Sequence, residues 1–372
     1  MQEINFQKNQ TKGEVRNMKN ILAHSTARAA VALAIVFGGL TTFTHAADIG
    51  TANLQLPIAV QTGKPKVIGA VLARPVLAKG DVLTTVTGVN QFTATATSTD
   101  LTAFVPVSTA IAGWAGDWNL APASDNHYIV EFTSGPNTGL IKRVTAFGAS
   151  GLVTVDGNLP TIDAGTRFVV RKDHTLASLF GDQTSATASG IIAGSSAGSS
   201  DQFGIFDSTG KIIRFFLRSS TGWKDIADRT GVNRNYVRVS MGTGVLMTPV
   251  TTKNIYLNGE YRGTRSKITV SAVNSFLANP YPVAVTLDNS GLADYVTKAS
   301  SAGSADEVRF MESGKFVNYF SNSSKEWKLS TARTGPSQGT KEIPAGEGFA
   351  FKKVGSAALT RDVAWAPQYL AQ

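Results

Sequence analysis

The sequence predicts an all-β protein, and three observations carry that prediction. Only 16 % of the residues are charged, 36 are glycine, and the apolar residues gather in short clusters set apart by Gly, Pro, Asn and Ser turns. Long soluble helices need runs of Glu, Lys, Leu and Ala that are missing here, whereas short turn-bounded clusters of β-branched and aromatic residues are what strands require. The expected architecture is an N-terminal small antiparallel β-barrel or sheet module, followed by two tandem repeats of a β-sandwich-like domain. With 372 residues there is room for two or three domains. Cysteine is absent, which excludes disulfides, thiolate metal sites and a cysteine nucleophile.

Residues 1–46 read as a leader. Ala29–Phe43 is apolar, Lys19 and Arg28 precede it, and Thr44-His45-Ala46 is a small-x-small cleavage signal. The run is shorter than the roughly 20 residues of a membrane-spanning helix, so a secretory signal peptide cut after Ala46 is expected. Met18, followed by Lys19-Asn20, is the more natural start of such a leader, and the mature chain is expected to be exported. The leader holds five cations against two anions, so its removal takes the formal charge from +9 to +6. The remaining Lys and Arg are scattered singly, which argues against nucleic acid as a partner.

Residues 47–175 form the expected N-terminal β module. Val67–Leu72 and Val82–Val86 are strand-like, with Lys79-Gly80-Asp81 as a turn signal between them. Trp114-Ala115-Gly116-Asp117-Trp118 follows, and its two indoles offer either core anchors or a ligand-stacking platform for a glycan. From His127 to Arg171 the pattern is regular: Tyr128–Phe132, Leu140–Val144, Leu152–Val155 and Arg167–Val170 are short strands joined by Gly-, Pro- and Asn-bearing turns. Phe132-Thr133-Ser134-Gly135, Gly139 and the stretch from Gly165 to Val169 resemble compact β modules of exported and phage-surface proteins.

Residues 176–278 and 279–372 are the two expected repeats. Matched pairs lie at a constant offset of 104 residues (327 minus 223), among them Gly210/Gly314, Phe216/Phe320, Trp223/Trp327, Lys224/Lys328, Gly242/Gly346 and Gly244/Gly348. Each copy predicts a hairpin: Phe203–Phe206 with Lys211–Leu217, and Val308–Met311 with Lys315–Phe320. Period-two spacing puts Ile212, Arg214 and Phe216 on one face and Ile213, Phe215 and Leu217 on the other, so both faces are partly apolar. The shared tryptophan is expected to be buried. Asn279-Pro280-Tyr281-Pro282 and Ile343-Pro344-Ala345-Gly346-Glu347-Gly348-Phe349 resemble the NPYP and IPAGxGF words of an uncharacterised family of exported bacterial β-sandwich proteins. That resemblance implies export and a non-catalytic extracellular role, and it supplies no catalytic residues.

Motifs for chemistry fail one by one. Gly194-Ser195-Ser196-Ala197-Gly198 fits G-x-S-x-G, but no histidine follows His174, and the α/β-hydrolase order needs one after the serine. Gly210-Lys211 and Gly314-Lys315 lack the Ser or Thr of a phosphate loop. Only His127 and His174 remain in the mature chain, too few for a histidine-based zinc site. The expectation is a structural or binding protein without catalytic residues, cofactor or metal. Its expected partners are a cell-surface or extracellular protein, a glycan or a second copy of itself. The alternative is a carbohydrate-binding module or enzyme accessory.

Overall fold

The computed structural model describes residues 53–96, 124–207, 209–260, 262, 266–270, 273–281, 283–355 and 361–365. The expected leader (residues 1–46), Trp114 and Trp118 lie outside them. In chain order, β1 (Asn53–Val60) and β2 (Lys66–Gly69) come first. Six strands follow: β3 (Val76–Val82), β4 (Gln91–Ala96), β5 (Tyr128–Phe132), β6 (Ile141–Phe147), β7 (Leu152–Val155) and β8 (Arg167–Lys172). Next are β9 (His174–Thr175), the short helix α1 (Leu176–Phe180), β10 (Gln202–Phe206), β11 (Ile212–Arg218), β12 (Gly222–Asp225), β13 (Arg238–Val239), β14 (Gly244–Thr248) and β15 (Lys253–Glu260). The last nine strands are β16 (Ser266–Val270), β17 (Asn274–Ala278), β18 (Val285–Thr286), β19 (Glu307–Glu312), β20 (Lys315–Ser321), β21 (Trp327–Leu329), β22 (Glu342–Ile343), β23 (Gly348–Lys352) and β24 (Arg361–Trp365). The all-β class is what the sequence predicts.

Strands β3 to β8 close into a barrel of order β3-β4-β7-β6-β5-β8. Its interior is filled by side chains, as in other narrow barrels. Phe92 packs against Phe132 and Phe168 at ring-centroid distances of 5.6 and 5.3 Å, with Val130, Val153 and Val170 around them. Gly80 makes room for that centre: a Cβ there would stand 2.8 Å from the Phe168 ring and 2.5 Å from the Thr95 carbonyl oxygen.

Outside the barrel, the described strands fall into two sets of nine with the same pairing. Each set has one five-stranded sheet, β2-β14-β10-β11-β12 in the first and β17-β23-β19-β20-β21 in the second. Each has a two-stranded ribbon, β1-β15 and β16-β24, and a two-residue pair, β9-β13 and β18-β22. Register agrees as well. Gly244, Val245 and Leu246 oppose Gly69, Ile68 and Val67, while Gly348, Phe349 and Ala350 oppose Ala278, Leu277 and Phe276.

Sheet membership departs from the boundaries read in the sequence. Strands β1 and β2 lie within 47–175 but pair with β15 and β14, and β16 and β17 lie within 176–278 but pair with β24 and β23. Linear order conceals this because strand partners are set by ladder hydrogen bonds across long separations. The barrel therefore sits between the first and second sheet-forming stretches of the first set. Between β17 and β18 the second set runs only through residues 279–284, whereas residues 70–173 separate β2 from β9.

Alternation along the strands explains the layers. Ile68, Val245, Met247, Phe203, Phe215 and Leu217 face one core, and Leu277, Val308, Phe310, Phe349 and Phe351 face a second. Their neighbours on the opposite faces, Val67, Leu246, Phe206 and Ile212 of the first sheet and Phe276, Ala350 and Met311 of the second, meet each other. Phe206 stacks on Phe276 with centroids 4.3 Å apart. Both faces of β11 are partly apolar for this reason: Ile213, Phe215 and Leu217 cover their own core, and Ile212 meets the partner sheet.

The contacts between the sheets are reciprocal. The Gly69 N–H donates to the Gly346 carbonyl at 3.0 Å, and the Ala278 N–H donates to the Gly242 carbonyl at 3.0 Å. Ile68 bridges Glu347, and Leu277 bridges Thr243. Residue i of one set touches residue j of the other and the converse also holds, which is the pattern of an isologous two-fold interface. Gly69 and Ala278 meet at its centre, where a Cβ on Gly69 would fall 1.8 Å from the Ala278 Cβ.

Candidate functional site

The residues singled out by the repeat occupy matching positions. Gly210 and Gly314 turn their hairpins at φ of 82° and 80°, and Gly242 and Gly346 precede β14 and β23 at 76° and 72°. These are left-handed conformations that glycine adopts without steric cost. Gly244 and Gly348 lie against the neighbouring strand: a Cβ would stand 3.2 Å from the Ile68 carbonyl oxygen and 2.0 Å from that of Leu277. Phe216 and Phe320 are buried, and Trp223 and Trp327 are both 0 % exposed. The rings belong to the two separate sheet cores, so neither offers a face to a ligand.

The polar residues around each indole also correspond. Lys224 Nζ donates to the Gly231 carbonyl at 2.6 Å and Lys328 Nζ to that of Gly335 at 2.8 Å. The Arg234 N–H donates to the Trp223 carbonyl and the Gln338 N–H to that of Trp327, at 2.8 and 2.7 Å. Asp201 and Asp306, both fully buried, accept main-chain N–H groups from Ile192 and Val250 and from Thr297 and Val354 respectively. These carboxylates pin the loops that close each sheet. The G-x-S-x-G serine has a similar local role, since Ser196 Oγ lies 3.2 Å from Ser199 Oγ at the start of a short 3-10 turn.

A second cluster lies where the barrel joins the sheets, and it brings together residues far apart in sequence. Arg262 donates from Nε (3.0 Å) and Nη2 (2.6 Å) to Glu131 Oε1 of β5. Arg171 of β8 lies 3.6 Å from Glu131 Oε2 and donates to Glu260 Oε2 of β15 at 2.7 Å. All four side chains are buried, and the two anions balance the two cations. Burying ions costs several kcal/mol each, so such a set holds only when every member is paired. Alongside it, fully buried Asp173 accepts from Arg238 Nε and from the main-chain N–H groups of His174 and Met241.

Two histidines, His127 and His174, are at this joint. His127, leading into β5, has Nε2 3.0 Å from the Tyr236 carbonyl, and His174 in β9 has Nε2 2.6 Å from the Leu72 carbonyl. Enclosure, reinforced by the Arg238 guanidinium, pushes the His127 imidazole down to about 4. Burial likewise pushes His174 below its ordinary value. Each ring is a neutral donor to a main-chain carbonyl. Among the described residues no group of three or more His, Asp and Glu is arranged to hold a metal ion.

Repetition in the sequence led to the tryptophans and glycines but not to the joint. One signal for the joint was present: Glu131 interrupts the apolar run Tyr128–Phe132 and Arg171 ends the run Phe168–Val170, and a buried charge needs a partner. Its partners, Arg262 and Glu260, carry no pattern of their own. No known protein family, curated protein or solved structure matches this chain.

Proposed function

We propose that this is an exported, non-enzymatic protein of the cell surface or extracellular space, built on a duplicated β unit into whose first copy a barrel has been inserted as a binding module. The observation that carries this reading is the unequal connection. The second set passes from β17 to β18 through Asn279–Ala284, so the barrel is not needed to complete the sheet architecture. A module that the scaffold does not require is the natural place for recognition. Export rests on the Ala29–Phe43 run with its Thr44-His45-Ala46 signal, and on the resemblance of the NPYP and IPAGxGF words to exported β-sandwich proteins. A non-catalytic role fits the two imidazoles, each committed to a main-chain carbonyl. The partners proposed are a surface or extracellular protein, a glycan or a second copy of the chain.

Cell fractionation with intact-mass measurement tests the reading. The expected product begins at Ala47 and is found in the envelope or the medium; an uncleaved chain confined to the cytosol would overturn it. The carbohydrate-binding alternative now depends on Trp114 and Trp118, because Trp223 and Trp327 are enclosed. Saccharide binding on a glycan array that is lost in Trp114→Ala or Trp118→Ala would favour it.

A further inference from the structure

We propose that the joint between the barrel and the sheets is an acid-released hinge: acidification frees the barrel from the sheet body while each part keeps its own fold. This stands apart from the reading of export and binding and does not depend on it.

The geometry at the joint supplies the mechanism. His127 enters the barrel strand β5 but hydrogen-bonds the Tyr236 carbonyl of the sheet body. His174 begins β9 but hydrogen-bonds Leu72, on the segment leading from β2 into the barrel. His127 therefore ties the barrel to the sheet body, while His174 and Leu72, both packed in the sheet body, fix the segment where the chain leaves the first sheet for the barrel. His127 faces Arg143 of β6, Arg238 of β13 and Asp173 between β8 and β9. His174 faces Asp173, Arg74 between β2 and β3, and Asp125 ahead of β5. Around them Arg74 and Lys172 both pair with Asp125, at 2.8 and 3.4 Å.

A proton taken up here has poor accommodation. His127 Nδ1 is buried with no hydrogen-bond partner among the described residues, so the proton would create an unmatched donor beside Arg238. His174 Nδ1 has only Ser178 Oγ, at 3.4 Å. Once the joint opens, both rings reach water and recover their ordinary behaviour. The open state then takes up protons that the closed state refuses, so acid favours opening.

The parts themselves have no such weakness. The barrel core of Phe92, Phe132, Phe168 and surrounding valines is apolar, and its ladder closes on itself. The sheet cores around Trp223 and Trp327 are likewise apolar. Other ties across the joint include the Glu131, Arg262, Arg171 and Glu260 set, the Asp173 bonds to Arg238 and the Met241 N–H, the Lys267 N–H donating to the Gly139 carbonyl at 2.8 Å, and the apolar contact of Ile129 and Ile141 with Met241.

The sign follows from the direction of the shifts. The closed-state pKa of His127, about 4, is below the ordinary 6.5, so closure is at full strength above about 6.5 and weakens as the pH falls toward 4. From His127 alone the opening equilibrium should rise about 20-fold between neutral pH and about pH 5. Hydrogen exchange read by mass spectrometry on the full chain, corrected for the intrinsic pH dependence of exchange, tests this. The expected result is loss of protection around residues 72–76, 125–128, 172–176 and 236–242 at a pH where β10, β11, β19, β20 and the barrel strands stay protected. Joint and sheets losing protection together, or no loss at the joint down to about pH 4, would overturn the proposal. His127→Gln and His174→Gln keep an amide donor for the carbonyl without a titrating ring, and the double variant should lose the acid response. A double variant that opens with the same pH profile would also overturn the proposal, and if it does not fold, the pH series on the parent chain decides alone.

Discussion

In the first set of strands the indole N–H of Trp223 donates to the Gly181 carbonyl at 2.8 Å. In the second, at the same position after the matching hairpin, the Trp327 indole N–H is buried with no acceptor among the described residues. The segment beside each ring accounts for the difference. In the first set helix α1 ends at Gly181, whose φ of 80° marks the turn out of the helix, and its carbonyl reaches the indole. In the second set the corresponding stretch forms only a 3-10 turn at Leu292–Asp294. Both rings are enclosed to the same degree all the same. Apolar burial is what places the tryptophan, and the hydrogen bond is added where a neighbouring segment allows it.

Removing the rings should give the largest effect and leave the two sets alike. Trp223→Ala and Trp327→Ala should each cost about 3–5 kcal/mol, as for large aromatics cut out of a core, measured by denaturant or thermal unfolding. Unchanged melting in either variant would break the equivalence. A smaller change should set the two positions apart. Trp→Phe removes the same ring edge from both, but at 223 it also strands the Gly181 carbonyl, so Trp223→Phe should be the more destabilising by about 1–3 kcal/mol. Equal losses from the two Trp→Phe variants would show that the hydrogen bond contributes nothing.

The fold class, the hairpins and the burial of the tryptophans were legible because they depend on local pattern: alternation, turn glycines and a repeated word. What was not legible depends on partners far along the chain. Val67-Ile68 looked like part of the N-terminal module, yet it pairs with Leu246 and Val245, because the barrel interrupts the sequence without interrupting the ladder. Phe276-Leu277 looked like the end of the first repeat, yet it opposes Ala350 and Phe349. Ile212 and Phe216 on one face and Ile213, Phe215 and Leu217 on the other hinted that both sheet faces are covered, but nothing in the spacing says that each sheet covers the other. The joint was hidden for the same reason, since Glu131 and Arg262 come together only when the barrel docks.

Removing the barrel tests most directly whether it is an insertion into one of two like sets. In the variant to be measured, residues 70–173 are replaced by the six-residue sequence Asn279–Ala284 that joins the matching strands β17 and β18. Thermal unfolding followed by tryptophan fluorescence and far-ultraviolet circular dichroism gives the answer. The expected product is a β-rich protein with buried indoles and a single cooperative transition, because β2 would still reach β14 and β9 would still reach β13. A chain with solvent-exposed tryptophan emission and no cooperative unfolding would contradict it.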